Sequence, residues 1–124
     1  MEVKQIRIGD KLVSPYTIPS GIVMTSPACA SRLLEMIPEL GFWTTKSIGL
    51  EPRVGYKEPI LYQVEDGTWI NAVGLTNPGC VEFGEELART KIQKDKAVLC
   101  SIFGKDANEF AKVARTLEDY VDAF

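Results

Sequence analysis

The chain has 124 residues, of which 45% are hydrophobic, 25% charged and 9% aromatic, the profile of a folded globular domain and not of a disordered or collagen-like one. Fourteen basic against 17 acidic side chains give a formal charge of −3, without the clustered Lys and Arg that a nucleic-acid or anionic-membrane surface needs.

The opening Met1-Glu2-Val3-Lys4 leads into an alternating segment and does not read as a signal peptide, and no apolar run approaches the ~20 residues of a membrane helix. The expected location is therefore cytoplasmic. Ile6 and Ile8, then Gly9-Asp10, then Leu12 and Val13 predict an amino-terminal hairpin within residues 1–13. Pro15 to Gly21 follows as a brief apolar strand whose prolines limit its pairing and whose Ser20-Gly21 exit leaves the backbone open to close approach. Ser31 is placed to cap a short helix carrying Leu33, Leu34 and Ile37, which Pro38 ends. Phe42 to Ile48 is rich in strand formers and carries Lys46 near its carboxyl end.

From Ile60 the pattern alternates through Tyr62 and Val64, turns at Asp66-Gly67 and returns through Trp69 to Val73, a hairpin over residues 60–73. Asn71 to Gly79 continues as a loop, since two glycines and a proline deny it a regular period. A helix over about 81–93 should bury Phe83, Leu87, Ala88 and Ile92 and expose Glu82, Glu85, Glu86 and Arg89. Ala97 to Ile102 reads as a strand covered on both faces. Asp106 with Glu109 starts a third helix, with Phe110, Val113, Ala114, Leu117 and Val121 at helical spacing, and Val121 to Phe124 looks like the entry to another strand.

Alternating strands and helices predict an α/β fold with a parallel sheet, either doubly wound or a (β/α)8 barrel. A barrel runs to ~250 residues, so the expectation is one partial domain over 1–124, about three βα units plus hairpins. The open sheet edge such a piece would expose calls for continuation of the chain or closure by another chain, for instance by self-association.

In parallel sheets of this kind the working groups lie at the carboxyl ends of the strands. Ser20-Gly21, Lys46-Ser47 and the loop from Asn71 to Asn77 all fall there. A cation beside small residues, backbone amides and carboxamides suits a planar anionic ligand with many acceptors. None of these groups is a strong base at neutral pH, so the pattern points to binding more than to proton abstraction. With no histidine in the chain, a Ser-His-Asp triad, a Cys-His pair and a histidine metal site are all excluded. Cys29, Cys80 and Cys100 form no CxxC pair, so no metal site is expected.

Local alternatives stand beside each of these readings. A lysine near a strand end is commonly a solvated or paired group; Asn71 and Asn77-Pro78-Gly79 have the chemistry of turns; Ser20-Gly21 could be only a tight strand exit. Trp43, Trp69 and Phe103 read as packing, and Arg53 and Lys57, flanked by Glu51 and Glu58, as a solvated loop.

Four segments taken together resemble the dihydroorotate dehydrogenases, above all the soluble type in which a flavin barrel pairs with an iron–sulfur flavoprotein subunit. They are Pro19-Ser20-Gly21, TTKSIGLEPRVGYKEP from Thr44 to Pro59, NAVGLTNPG from Asn71 to Gly79, and AVLCSIFG from Ala97 to Gly104. The resemblance implies the amino-terminal part of a (β/α)8 barrel that oxidises dihydroorotate to orotate in pyrimidine biosynthesis, with flavin mononucleotide (FMN) as cofactor. It implies that Ser20, Gly21, Lys46 and Ser47 touch the flavin, and that Lys46, Asn71, Val73, Gly74 and Leu75 bind dihydroorotate or orotate. The family's base lies on a mobile loop that its pattern puts after the position of Phe124, as it does the loops for the flavin phosphate. No catalytic residue is thus expected within this chain, and the chain alone is expected to be inactive. Partners implied are a second copy and the iron–sulfur flavoprotein subunit. The alternatives are another FMN-barrel pyrimidine dehydrogenase and a non-catalytic half-barrel that assembles with another chain.

Overall fold

The computed structural model describes residues 4–124, so the first three residues of the expected 1–13 hairpin lie outside the described residues. Strands β1 (Ile6–Ile8) and β2 (Lys11–Val13) pair antiparallel, Ile6 opposite Val13. Their turn uses Gly9 at φ +55°, where a Cβ would also run into the Asp122 carbonyl, two independent reasons for glycine. Lys11 Nζ lies 3.0 Å from the Asp122 carboxylate and donates to the Lys96 carbonyl at 2.9 Å. Asp122 also accepts the Val98 N–H at 2.8 Å. These bonds fasten the hairpin against the amino ends of the sheet, with Ile8 and Val13 buried on Phe42 and Ala97.

Helix α1 (Pro27–Met36) starts one turn earlier than expected, with Ser26 as its cap accepting the Cys29 N–H at 3.4 Å. Pro27 explains the difference: its fixed φ and missing N–H suit the first helical position. Ser31 instead lies inside the helix and donates to the Lys91 carbonyl at 2.6 Å. The helix buries Pro27, Ala30 and Leu34 and stops at Ile37, before Pro38.

Strand β3 (Phe42–Thr44) pairs in parallel with β6 (Ala97–Leu99), Trp43 opposite Val98. Parallel bridges join Tyr16 to Leu40 on one side and Leu99 to Ala123 on the other. The parallel neighbours therefore follow chain order with no reversal, unlike the crossing-over of a doubly wound sheet. The arrangement is compatible with part of a (β/α)8 barrel, and the sheet pairs among the described residues do not close. The expected strand at 15–21 is reduced to the single Tyr16 bridge, in keeping with prolines on both sides. Both longer strands are shorter than the apolar runs suggested. Pairing between them breaks at 45–47 and resumes at the Ile48–Ile102 bridge.

Between β3 and β6 stand a hairpin, β4 (Leu61–Glu65) with β5 (Thr68–Asn71), and helix α2 (Cys80–Arg89). Every residue of the two hairpin strands is exposed, Trp69 by 56% and Tyr62 by 63%. The alternation that marks the strands thus reports their conformation but not a covered face. Helix α2 ends at Arg89, short of the expected Gln93; Thr90 turns to extended backbone. Phe83 and Leu87 are buried, whereas Ala88 is exposed and Ile92 packs from the following loop. Helix α3 (Ala107–Leu117) is capped by Asp106, which accepts the Glu109 N–H at 2.9 Å. Its buried stripe is Val113 and Leu117, and Phe110 remains 40% exposed. No helix among the described residues is long and apolar enough to cross a membrane.

Strand alternation divides the core in two. Phe42 and Ala97 face the amino-terminal hairpin, while Trp43, Val98 and Cys100 face the helices with Leu34, Phe83, Leu87, Val113 and Leu117. Trp43 is completely buried, meets Phe83 with ring centroids 6.0 Å apart, and donates its indole N–H to the Met24 carbonyl at 3.0 Å. Trp43→Ala should lower stability by ~3–5 kcal/mol, from the cavity and the orphaned carbonyl together. Urea unfolding of the intact protein measures this; a loss below ~1 kcal/mol would contradict the placement of Trp43 at the centre of the core.

Candidate functional site

The break in the β3–β6 ladder is made by Thr45, which is fully buried. Its N–H still donates to the Leu99 carbonyl at 3.0 Å. Its hydroxyl, however, takes the Ser101 N–H at 3.0 Å and donates to the Lys46 carbonyl at 2.9 Å. The Thr45 carbonyl is left for the Ser20 hydroxyl, which donates to it at 2.6 Å. Ser47 Oγ and Ser101 Oγ are 2.8 Å apart. Three strand exits, at Ser20, Thr45–Ser47 and Ser101, are thereby cross-linked by side-chain hydrogen bonds.

Lys46 is half-buried at this junction. Its Nζ points across to the Ser20–Gly21 turn, since a Cβ built on Gly21 would lie 3.9 Å from it. Gly21 has φ +74°, the left-handed conformation that glycine adopts without strain. Among the described residues the Lys46 ammonium makes no ion pair. The four residues expected at the flavin, Ser20, Gly21, Lys46 and Ser47, are thus neighbours at one end of the sheet.

The second group lies on the loop that leaves β5. Asn71 is exposed at the end of that strand, opposite Leu61. The Val73 carbonyl accepts the Tyr56 N–H at 3.2 Å and the Thr76 hydroxyl at 3.3 Å. Gly74 has φ +82° and its backbone lies so close to Tyr56 that an added Cβ would come within 2.8 Å of the ring. Leu75 has φ +55°, a strained state for a bulky residue that costs ~1–3 kcal/mol and persists only where the surroundings enforce it. Among the described residues, no side-chain hydrogen bond joins Asn71 to Lys46.

What links the two groups is Asn77, which sequence reasoning left as turn chemistry. Its buried carboxamide accepts N–H bonds from Gly49 at 3.2 Å and Gly79 at 2.9 Å and donates to the Leu75 carbonyl at 2.7 Å. Its backbone pairs with Arg53 in both directions, at 2.8 and 3.0 Å. Arg53, expected in solvent, is exposed yet lies 5.6 Å from the centre of the Phe103 ring. The sequence signal was Asn-Pro-Gly itself, which accounts for the Gly79 donor, but the Gly49 donor comes from 28 residues away and could not be read locally.

Clefts of about 470 and 440 Å³ open beside α2 and α3, lined by residues such as Glu51, Pro78 and Glu82 or Arg53, Phe103 and Lys105. Neither includes Ser20, Lys46, Ser47 or residues 71–75. Chemistry and mutual bonding, and not cleft volume, mark the candidate site. Cys100, beside it, is held as the thiol: burial pushes its pKa up to about 11 from 9.0, against a smaller opposing effect of the Thr45 hydroxyl, which disfavours the reactive thiolate.

The family model described as dihydroorotate dehydrogenase matches residues 3–124. Relatives named dihydroorotate dehydrogenase B (NAD(+)), catalytic subunit, are 38% identical over 117 residues in Methanocaldococcus jannaschii, 40% over 124 in Pyrococcus furiosus and 43% over 113 in Thermoplasma acidophilum. The matches cover 92%, 100% and 90% of this chain but 37%, 40% and 36% of those relatives. The chain spans about two fifths of the length of the curated relatives it matches.

Thr45→Val keeps the shape and removes the hydroxyl, leaving the part-buried Ser101 N–H without its partner; a loss of ~1–3 kcal/mol is expected in chemical denaturation, with Thr45→Ser close to wild type. Equal stability of the two variants would dismiss the hydroxyl bridge. The raised Cys100 pKa favours the folded state below about pH 9, and that contribution is lost as pH rises from 9 toward 11. The unfolding midpoint should therefore fall more steeply over that window in wild type than in Cys100→Ala, and parallel curves would show that Cys100 does not titrate differently on folding.

Proposed function

Because the chain belongs to the dihydroorotate dehydrogenase family, we propose that the protein oxidises dihydroorotate to orotate in pyrimidine biosynthesis, at the carboxyl ends of the strands of a (β/α)8 barrel and with FMN as cofactor. The observation that carries this reading is Lys46: a half-buried ammonium, free of ion pairs among the described residues, turned toward an open glycine exit.

The donor set fits a flavin. Ser20 and Ser47 hold hydroxyls already fixed by the Thr45 carbonyl and by Ser101, Gly21 presents backbone without a Cβ, and Lys46 supplies the cation a many-acceptor ring requires. These four residues would hold the ring. When bound, FMN supplies the two-electron acceptor for hydride.

The chain's own residues bind and orient. Lys46 faces both ligands and attracts the substrate carboxylate; the Asn71 carboxamide and the backbone of Val73, Gly74 and Leu75 offer the paired donors and acceptors that fix a pyrimidine ring in one orientation. Oxidation removes a proton and a hydride from adjacent ring carbons to form the double bond of orotate. No residue here is assigned the proton, since none of these groups is a base suited to neutral pH. The relatives' designation as catalytic subunits supports a second subunit for this protein, which we read as the iron–sulfur flavoprotein; self-association and a cytoplasmic setting are part of the same proposal and rest on the family reading alone.

The test is Lys46→Ala in the intact protein. Turnover of dihydroorotate should fall by about 10²–10³-fold, the size typical of removing one stabilising donor from a reacting centre. Unchanged kinetics would remove Lys46 from the site. Oxidation of a neutral dihydropyrimidine in preference to dihydroorotate by wild type would overturn the substrate assignment.

A further inference from the structure

We propose that Asn77 is a positioning residue, whose buried carboxamide sets the substrate loop at 71–75 in register with the Lys46 exit; this rests on the reading of the site given above. Gly49 lies three residues beyond Lys46, and its N–H donates to Asn77 Oδ1 at 3.2 Å. The same oxygen takes the Gly79 N–H at 2.9 Å, at the start of α2. The amide nitrogen donates to the Leu75 carbonyl at 2.7 Å. One side chain, 6% exposed, thus touches the lysine exit, the helix start and the one residue of the substrate loop that is held in a strained conformation at φ +55°.

The geometry is specific to a carboxamide. Both acceptor sites of the oxygen and one donor site of the nitrogen are used; a hydroxyl must do all three from one atom and a carboxylate has no donor, so only a carboxamide accepts at one atom and donates from another. The backbone pair between Asn77 and Arg53 keeps the residue itself in place whatever its side chain does. Loss of the amide nitrogen therefore acts first on Leu75. Thr76, the neighbour in sequence, already bonds to the Val54 and Val73 carbonyls, so nothing else among the described residues donates to the Leu75 carbonyl.

Asn77→Asp in the intact protein retains size and both N–H acceptances, which a carboxylate strengthens, and sets an oxygen against the Leu75 carbonyl. Calorimetric titration should show orotate binding weakened by about tenfold or more, the equivalent of one buried hydrogen bond. The KM for dihydroorotate should rise alongside it, and flavin content should stay at the wild-type level. Asn77→Ser, whose hydroxyl stops one bond short of the lost amide nitrogen and which carries no charge, should weaken orotate binding similarly; it serves if the aspartate variant fails to fold. Orotate binding equal to wild type in a folded variant overturns the inference. Parallel loss of flavin and orotate also overturns it, by showing a general structural role. A wild-type protein that takes up flavin but binds no orotate overturns the substrate reading of the preceding section, and this inference with it.

Discussion

The substitution of a threonine hydroxyl for a backbone carbonyl in a parallel ladder is the interaction on which the rest of the site depends. Had β3 and β6 paired without interruption from Phe42 to Ile48, the Thr45 carbonyl would have been committed to the neighbouring strand and unavailable to Ser20. Because the Thr45 hydroxyl takes the Ser101 N–H instead, the carbonyl is released to the first strand exit. The ladder then resumes at Ile48, whose N–H reaches the Ser101 carbonyl at 2.9 Å. Full burial of Thr45 encloses the hydroxyl, and the part-buried Ser101 amide pairs with it inside the protein.

The two ends of the sheet divide their duties. At the amino end two lysines are committed: Lys96, only 7% exposed, gives its ammonium to the Pro38 and Leu40 carbonyls at 2.7 Å each, and Lys11 is occupied by Asp122. At the carboxyl end a lysine of the same chemistry is left without an ion pair among the described residues. Contrast between the three lysines is more informative than any one of them. A cation consumed by carbonyls and carboxylates secures the fold, and one left open is available to a ligand.

Much of this was legible in the sequence, and what was not has identifiable causes. Helix α3 was readable because its cap and its buried stripe are local, and the hairpin at Asp66-Gly67 because turn chemistry and alternation agree. Ser31 was mistaken for a cap because the sequence shows a serine before an apolar run equally at Ser26, and only Pro27 distinguishes them. Strand lengths were overestimated because Thr45 reads as a strand former while acting as a side-chain acceptor. Lys46, Ser47, Ser20 and Gly21 were nominated from sequence and lie together in space. Asn77 was undervalued because Gly49, the partner that carries its carboxamide beyond the turn, lies 28 residues away. A carboxamide that bridges loops looks, along the chain, like one that only turns a corner.

The chain's two tryptophans occupy opposite environments, Trp43 fully enclosed beside Phe83 and Trp69 56% exposed on a hairpin covered on neither face. Their fluorescence is therefore separable by colour and by access to an aqueous quencher. Trp43 reports the integrity of the interior. Trp69 reports whatever comes to rest on the projecting ribbon, so a single optical signal distinguishes melting of the domain from a docking event at its surface.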